Sequence, residues 1–122
     1  MSGRLVHVEI RAADSDRAQG FWNGVFGWEI ASSGMPGMDY RLFSTGEGQG
    51  GGLYEDADNT GHLAVYFDTD DIDATVSQVR ALGGESTDKR PIPGIGWFAN
   101  CTDTEGNAFN VFQADETVAP PA

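Results

Sequence analysis

The feature that most constrains this 122-residue chain is that its series of elements is written twice. LVHVEI over Leu5–Ile10 alternates, with Val6, Val8 and Ile10 on one side and His7 and Glu9 on the other, which reads as a half-buried strand. Ser15 or Asp16 caps the next element, RAQGFWNGVF, where Ala18, Phe21, Trp22, Val25 and Phe26 recur at helical spacing before Gly27 stops it. Strands are expected at Trp28–Ser32, Asp39–Ser44 and Gly52–Tyr54, with TGEGQGGG as the loop before the last. After the polar linker EDADNTG the series starts again. HLAVYFD over His62–Asp68 is a strand, and Asp70 or Asp71 caps a helix that buries Ile72, Val76, Val79 and Leu82 and ends at Gly83 and Gly84. Strands Glu85–Lys89, Ile95–Cys101 and Ala108–Gln113 follow, and ADETVAPPA reads as a frayed tail.

Matched residues tie the halves together. His62 stands 55 residues after His7, Asp71 the same distance after Asp16, and Glu105-Gly106 58 residues after Glu47-Gly48. The expected class is α+β: two βαβββ modules whose curved sheets pair around a central cup, with helices outside. One domain over residues 1–114 is expected, with modules at about 4–55 and 62–113 and a flexible tail at 115–122.

Composition narrows the partners. Formal net charge is −12, from 19 acidic and 7 basic residues, and no basic stripe offsets it, so neither nucleic acid nor an anionic membrane is an expected partner. No segment approaches the ~20 apolar residues of a bilayer span, and Cys101 is the single cysteine, which suits a cytoplasmic protein without an internal disulfide. Cys101 shares a face with Trp97 and Ala99, so a buried, inert thiol is expected. TGEGQGGG lacks the GKS or GKT ending and the following helix of a phosphate loop, and reads as a flexible rim.

Three segments carry a resemblance. VHVEIRAADSDRAQGFWNGVFGWE resembles the opening strand–helix–strand of the glyoxalase/bleomycin-resistance/dioxygenase superfamily, also called vicinal oxygen chelate proteins. HLAVYFDTDDIDATVSQVRALGGE resembles the start of its second module, and DTEGNAFNVFQ is similar to its closing DP-x-G turn and strand, with Thr104 where proline is usual. The resemblance spans roughly residues 4–113 and implies a homodimer, with Trp22 and Trp28 as candidates for its apolar patch. It also implies a divalent cation held at His7, Gly52, His62 and Asn110. His7 and His62 are good imidazole ligands, whereas Gly52 has no side chain and Asn110 offers a neutral amide, so an absent or weakly bound metal is expected.

Two functions follow. One is a cup that binds a small organic molecule in the manner of bleomycin-resistance members. The other is a lyase, isomerase or dioxygenase in which a divalent ion on His7 and His62 polarises vicinal oxygens while a carboxylate moves the proton. Glu9, two residues from His7 on the same strand face, is the candidate for that carboxylate or for a replacement ligand. Arg41 falls on the face of Phe43. With Tyr40 and Leu42 packed on a helix it would look into the cup and hold a ligand carboxylate or phosphate. Tyr66, Phe98, Asn100, Asn110 and Phe112 complete the expected ligand-binding lining.

Overall fold

The structure, a computed structural model, describes residues 3–58 and 63–119. The chain divides into two compact units, Val6–Ala64 and Val65–Ala122, the second also holding Met1–Leu5. We call them the first and second modules. Among the described residues no helix is long and apolar enough to cross a membrane.

In the first module β1 (Leu5–Ala12) leads into α1 (Ser15–Phe26). Asp14, not Ser15 or Asp16, is the N-cap: its carboxylate accepts from the Arg17 N–H at 3.0 Å. Gly27 ends the helix in the left-handed region at φ 74°, where a Cβ would be strained. β2 (Ala31–Ser32), β3 (Tyr40–Gly46) and β4 (Gln49–Glu55) follow. The sheet order is β2-β3-β4-β1, with β4 antiparallel to β3 and parallel to β1. The glycine run expected as a loop is therefore the start of the central strand. Glycine has poor strand propensity, but here two neighbouring strands press close. A Cβ at Gly50 or Gly51 would collide with the carbonyl oxygens of Phe43 and Val8 respectively. Ile10, Ala12, Ile30, Phe43 and Leu53 form the core under α1, and Trp22 and Trp28 pack on it. Trp28 stacks on Phe43 at 4.9 Å and on Trp22 at 5.5 Å.

The second module repeats this plan with β5 (Leu63–Asp68), α2 (Ile72–Ala81), β6 (Glu85–Ser86), β7 (Arg90–Ile92), β8 (Gly96–Thr102) and β9 (Ala108–Ala114). The expected strand Glu85–Lys89 is thus a two-residue pairing, and the RPIPG turn carries a strand of its own, giving nine strands among the described residues instead of eight. The order is β5-β9-β8-β6, with β7 also on β8 and β5 parallel to β9. Asp71 caps α2, and Ile72, Val76, Ala99, Cys101 and Val111 form the core beneath it. Cys101 is buried, as its strand face required. The expected tail is tied down through Val118, which is 8% exposed and accepts from the Gly94 N–H at 2.9 Å.

A shared detail fixes which residues correspond. The first N–H of each helix is bonded by a side chain from the end of the module's last strand: Glu55 to Ser15 at 3.4 Å and Gln113 to Ile72 at 2.8 Å. With the N-caps Asp14 and Asp71 aligned, Glu9 opposite Gly52 matches Tyr66 opposite Asn110. The counterpart of His7 is then Ala64. The equivalence of His7 with His62 read from the sequence is two residues out of register, and His62 itself lies outside the described residues.

Candidate functional site

The polar centre of the first module lies on the sheet face away from α1. Ile10 and Ala12 of β1 point into the core, so alternation turns His7 and Glu9 the other way. Tyr40 starts β3, one strand beyond β4, and its ring crosses β4 above Gly52 to reach β1. Its hydroxyl donates to the Glu9 carboxylate, 3.1 and 3.2 Å from the two oxygens. His7 Nε2 is 3.3 Å from the same hydroxyl and 3.4 Å from Glu9 Oε1. The imidazole is 31% exposed and the carboxylate 16%, so ligand can reach both while water only partly screens them. A base, an acid and a phenol thus meet over a floor of bare backbone.

Tyr40 was the residue the sequence placed on the wrong face, and Arg41 moves with it. Arg41 sits on the α1 side, where it donates to Gln19 at 2.7 Å, Asp16 at 2.8 Å and Asp39 at 2.9 and 3.0 Å. Hydrogen bonds to Asp39 first and Asp16 second push its guanidinium further up from an already high pKa, and the same contact holds Asp39 below the usual carboxylate range. Parity along β3 is the cause. Phe43 fills the core, so Arg41 shares its side, and Tyr40 and Leu42 take the other. Arg41 therefore does not join His7 and Glu9, and two aspartates already balance its charge. A polar cleft of about 470 Å³ runs beside it, lined by Asp16, Gln19, Asn23, Ser32 and Asp39.

On the second module, Ala99, Cys101 and Val111 face the core, which places Phe98, Asn100, Asn110 and Phe112 on the opposite face with Tyr66 in register beside Asn110. Asn110 is 7% exposed. Its amide donates to the Val65 carbonyl at 3.1 Å, and its oxygen accepts from Asn100. A sizeable hollow of the module lies elsewhere. A groove of about 620 Å³ lies on the helix side, walled by Val65, Phe67, Phe109 and Val111. It lacks a reacting group aimed inward: Asp103 at its rim is spent on its own turn, and Asp68 on Arg4. Chemistry, not volume, selects the His7–Glu9–Tyr40 face.

Among the described residues no three His, Cys, Asp or Glu side chains gather to hold a metal. His62 lies outside the described residues, and the described donors at the other implied positions do not make up a divalent-ion site. Gly52 contributes nothing, the Tyr40 phenol fills the space a side chain there would take, and the Asn110 amide is already bonded on both its oxygen and its nitrogen.

A comparison with curated protein sequences finds no match. Solved structures do resemble the fold. A methylmalonyl-CoA epimerase from Mycobacterium tuberculosis matches 93% of this chain and 88% of its own length, at 18% identity and a TM-score of 0.71. A hypothetical protein from Bacillus halodurans C-125 matches over 98% and 100%, at 16% identity and a TM-score of 0.72. A glyoxalase/bleomycin resistance protein/dioxygenase superfamily member from Vibrio splendidus 12B01 matches over 91% and 98%, at 19% identity and a TM-score of 0.66. These likenesses carry the architecture, and the family model for the glyoxalase-like domain matches residues 7–112, from the site histidine through β9. The chain belongs to the glyoxalase-like domain family.

Proposed function

We propose that this protein binds a small organic molecule against the first module's face at His7, Glu9 and Tyr40, without a tightly held divalent ion. One observation carries the reading: an imidazole, a carboxylate and a phenol, none fully buried, converge within 3.4 Å of one another on a face that the core does not need. Such groups can re-form their hydrogen bonds to a ligand oxygen or nitrogen without stranding a buried partner. Tyr66, Phe98, Asn100, Asn110 and Phe112 supply a second, more aromatic face of the same kind on the second module, and are proposed as ligand contacts there.

The test is a fragment screen of carbonyl-bearing and aromatic molecules followed by amide shifts. Hits should perturb β1 and β3, and His7→Ala or Glu9→Ala should weaken them by about tenfold or more, the worth of one lost polar contact. A ligand that binds elsewhere, indifferent to both changes, overturns the reading. Elemental analysis after dialysis should find well under one equivalent of zinc, nickel or iron.

A second reading is favoured by the hold of Tyr40 on both Glu9 oxygens, which orients the carboxylate as a proton carrier would require. It is proton transfer at a carbon beside a carbonyl, and solved structures that share the fold include a methylmalonyl-CoA epimerase in complex with methylmalonyl-CoA. Incubation with methylmalonyl-CoA in D₂O tests it. Deuterium entering the substrate, and lost with Glu9→Gln, supports an enzyme, and no exchange leaves binding alone.

We read the protein as a cytoplasmic homodimer. Trp22 and Trp28 are spent on the first core, but Phe21, Val25 and Phe26 beside them are 62%, 55% and 58% exposed. Light scattering at micromolar concentration should give about twice the 13.0 kDa chain mass.

A further inference from the structure

Gly52 lies at the centre of the sheet, paired with Glu9 on one side and Leu42 on the other. Its lack of a side chain leaves no empty space. The three atoms nearest to a Cβ built there all belong to Tyr40: the hydroxyl, Cζ and Cε1. The neighbouring glycines differ, because the first obstacle at Gly50 and Gly51 is a backbone carbonyl of an adjacent strand. The nearest obstacles at position 52 thus belong to one removable ring, whereas the nearest at 50 and 51 is backbone of the sheet itself. The same ring brings its hydroxyl to both Glu9 oxygens and to His7 Nε2.

We propose that Tyr40 is the specificity residue that keeps this face metal-free: its phenol takes the place of both the position-52 ligand and the cation that His7 and Glu9 would otherwise share. This rests on the reading of the face as a ligand site, and adds which ligands it takes. A cation shared by these groups would need them about 2.0–2.2 Å away, with a third donor closing the set. The third group here is a phenol whose hydroxyl donates to Glu9, not a carboxylate or imidazole offering a lone pair to a cation. A molecule that docks by chelation through two vicinal oxygens has no ion to chelate. One that docks by hydrogen bonds meets a donor–acceptor cluster already aligned.

Nickel(II) and zinc(II) titrations by calorimetry, with the metal alone as probe, test this. Wild type should bind weakly, with a Kd in the high micromolar range or above, and Tyr40→Phe should be no better because the ring stays. Tyr40→Ala/Gly52→Glu should bind at one equivalent and at least about a hundredfold tighter, because an imidazole and two carboxylates then face the ion. Adding His7→Ala to it should abolish the gain. If the double variant does not fold, Tyr40→Ala alone should still raise affinity through His7 and Glu9. Wild type binding as tightly as the ring-deleted variants overturns the proposal, as does a gain that survives His7→Ala. These outcomes concern metal only. Failure of the ligand-site reading would appear separately, as fragments that ignore His7 and Glu9.

Discussion

The two modules share one backbone plan and fill it with opposite size choices. At the crossing of the last two strands the first module sets a large Phe43 over Gly51, and the second sets a small Cys101 beside a large Phe109. On the other face, Tyr40 lies over Gly52 in the first module, where the second has Phe98 and a full-sized Asn110. At the first crossing the strand that supplies the ring changes; at the second it does not, and the second module adds the Asn110 side chain where the first has none. The consequence is chemical. Where the last strand is stripped to glycine, a ring from the next strand can span it and reach β1. That span assembles Tyr40 with Glu9 and His7. Where the last strand keeps its side chain, Asn110 bonds to Asn100 and Val65 and the span is closed.

The sharpest way to break this comparison is to empty one crossing. Phe43 is 7% exposed and stacks on Trp28, so Phe43→Ala should cost about 3–5 kcal/mol, while the matching Cys101→Ala should cost about 1 kcal/mol or less. Urea denaturation measures both, and equal losses would break the contrast drawn between the two crossings. Transferring bulk to Gly51 should not rescue Phe43→Ala, because a Cβ at 51 would also strike the Val8 carbonyl oxygen.

Next comes the face that carries the site. Gly52→Asn copies the second module into the first and should cost about 1–3 kcal/mol by overpacking against Tyr40. Tyr40→Ala in the same chain should recover most of that loss, a non-additivity expected of residues in contact. The reverse change, Asn110→Gly, loses two hydrogen bonds without a clash and should cost about 1–2 kcal/mol. If Gly52→Asn proves neutral, the ring does not fill position 52.

A smaller effect separates the helix starts. Gln113→Ala should cost about 1 kcal/mol by freeing the Ile72 N–H, whereas Glu55→Ala should cost about half that, since its bond to Ser15 is long at 3.4 Å. Denaturation of the two variants side by side reads the difference, and a larger loss for Glu55→Ala would reverse the comparison.

How much of this was legible depended on whether a single segment carried the signal. β1 and the existence of both helices were readable because alternation and helical spacing are local, although α1 is capped by Asp14 and Leu82 of the expected α2 stripe is exposed. The site was half readable: His7 and Glu9 share a strand face by spacing alone. Tyr40 was not, because its role depends on a register across three strands, Glu9 to Gly52 to Leu42, and tyrosine suits either face of a sheet. The glycine run misled for a related reason, since its strand is imposed by neighbours against propensity. The histidines misled differently. Two rare residues at a plausible interval suggested an alignment, while the helix caps set another.

The smallest prediction concerns a charged turn residue that the first module lacks. Between β8 and β9, the Asp103 carboxylate accepts from the Asn107 side chain at 2.9 Å and from the Asn107 and Glu105 N–H groups at 2.9 and 2.8 Å. The equivalent turn between β3 and β4 begins at Thr45, which carries no charge. These bonds, the Asn107 side chain first, hold the Asp103 carboxyl below its ordinary range. A depressed carboxyl favours the folded state while it is ionised in both states. Its contribution is therefore whole above the unfolded value of about 3.9 and is lost as pH falls through the lower folded value. Asp103→Asn should be slightly less stable than wild type at pH 7, and the gap should hold down to about pH 5 and narrow below about pH 4. Because Asp103 is exposed, solvent and salt screen the effect, so the gap should be small and shrink further at high ionic strength. Thermal melts of the pair at several pH values decide it. A gap that widens on acidification would show that the turn is held by the neutral acid, and Asp103 would then differ from Thr45 in shape alone.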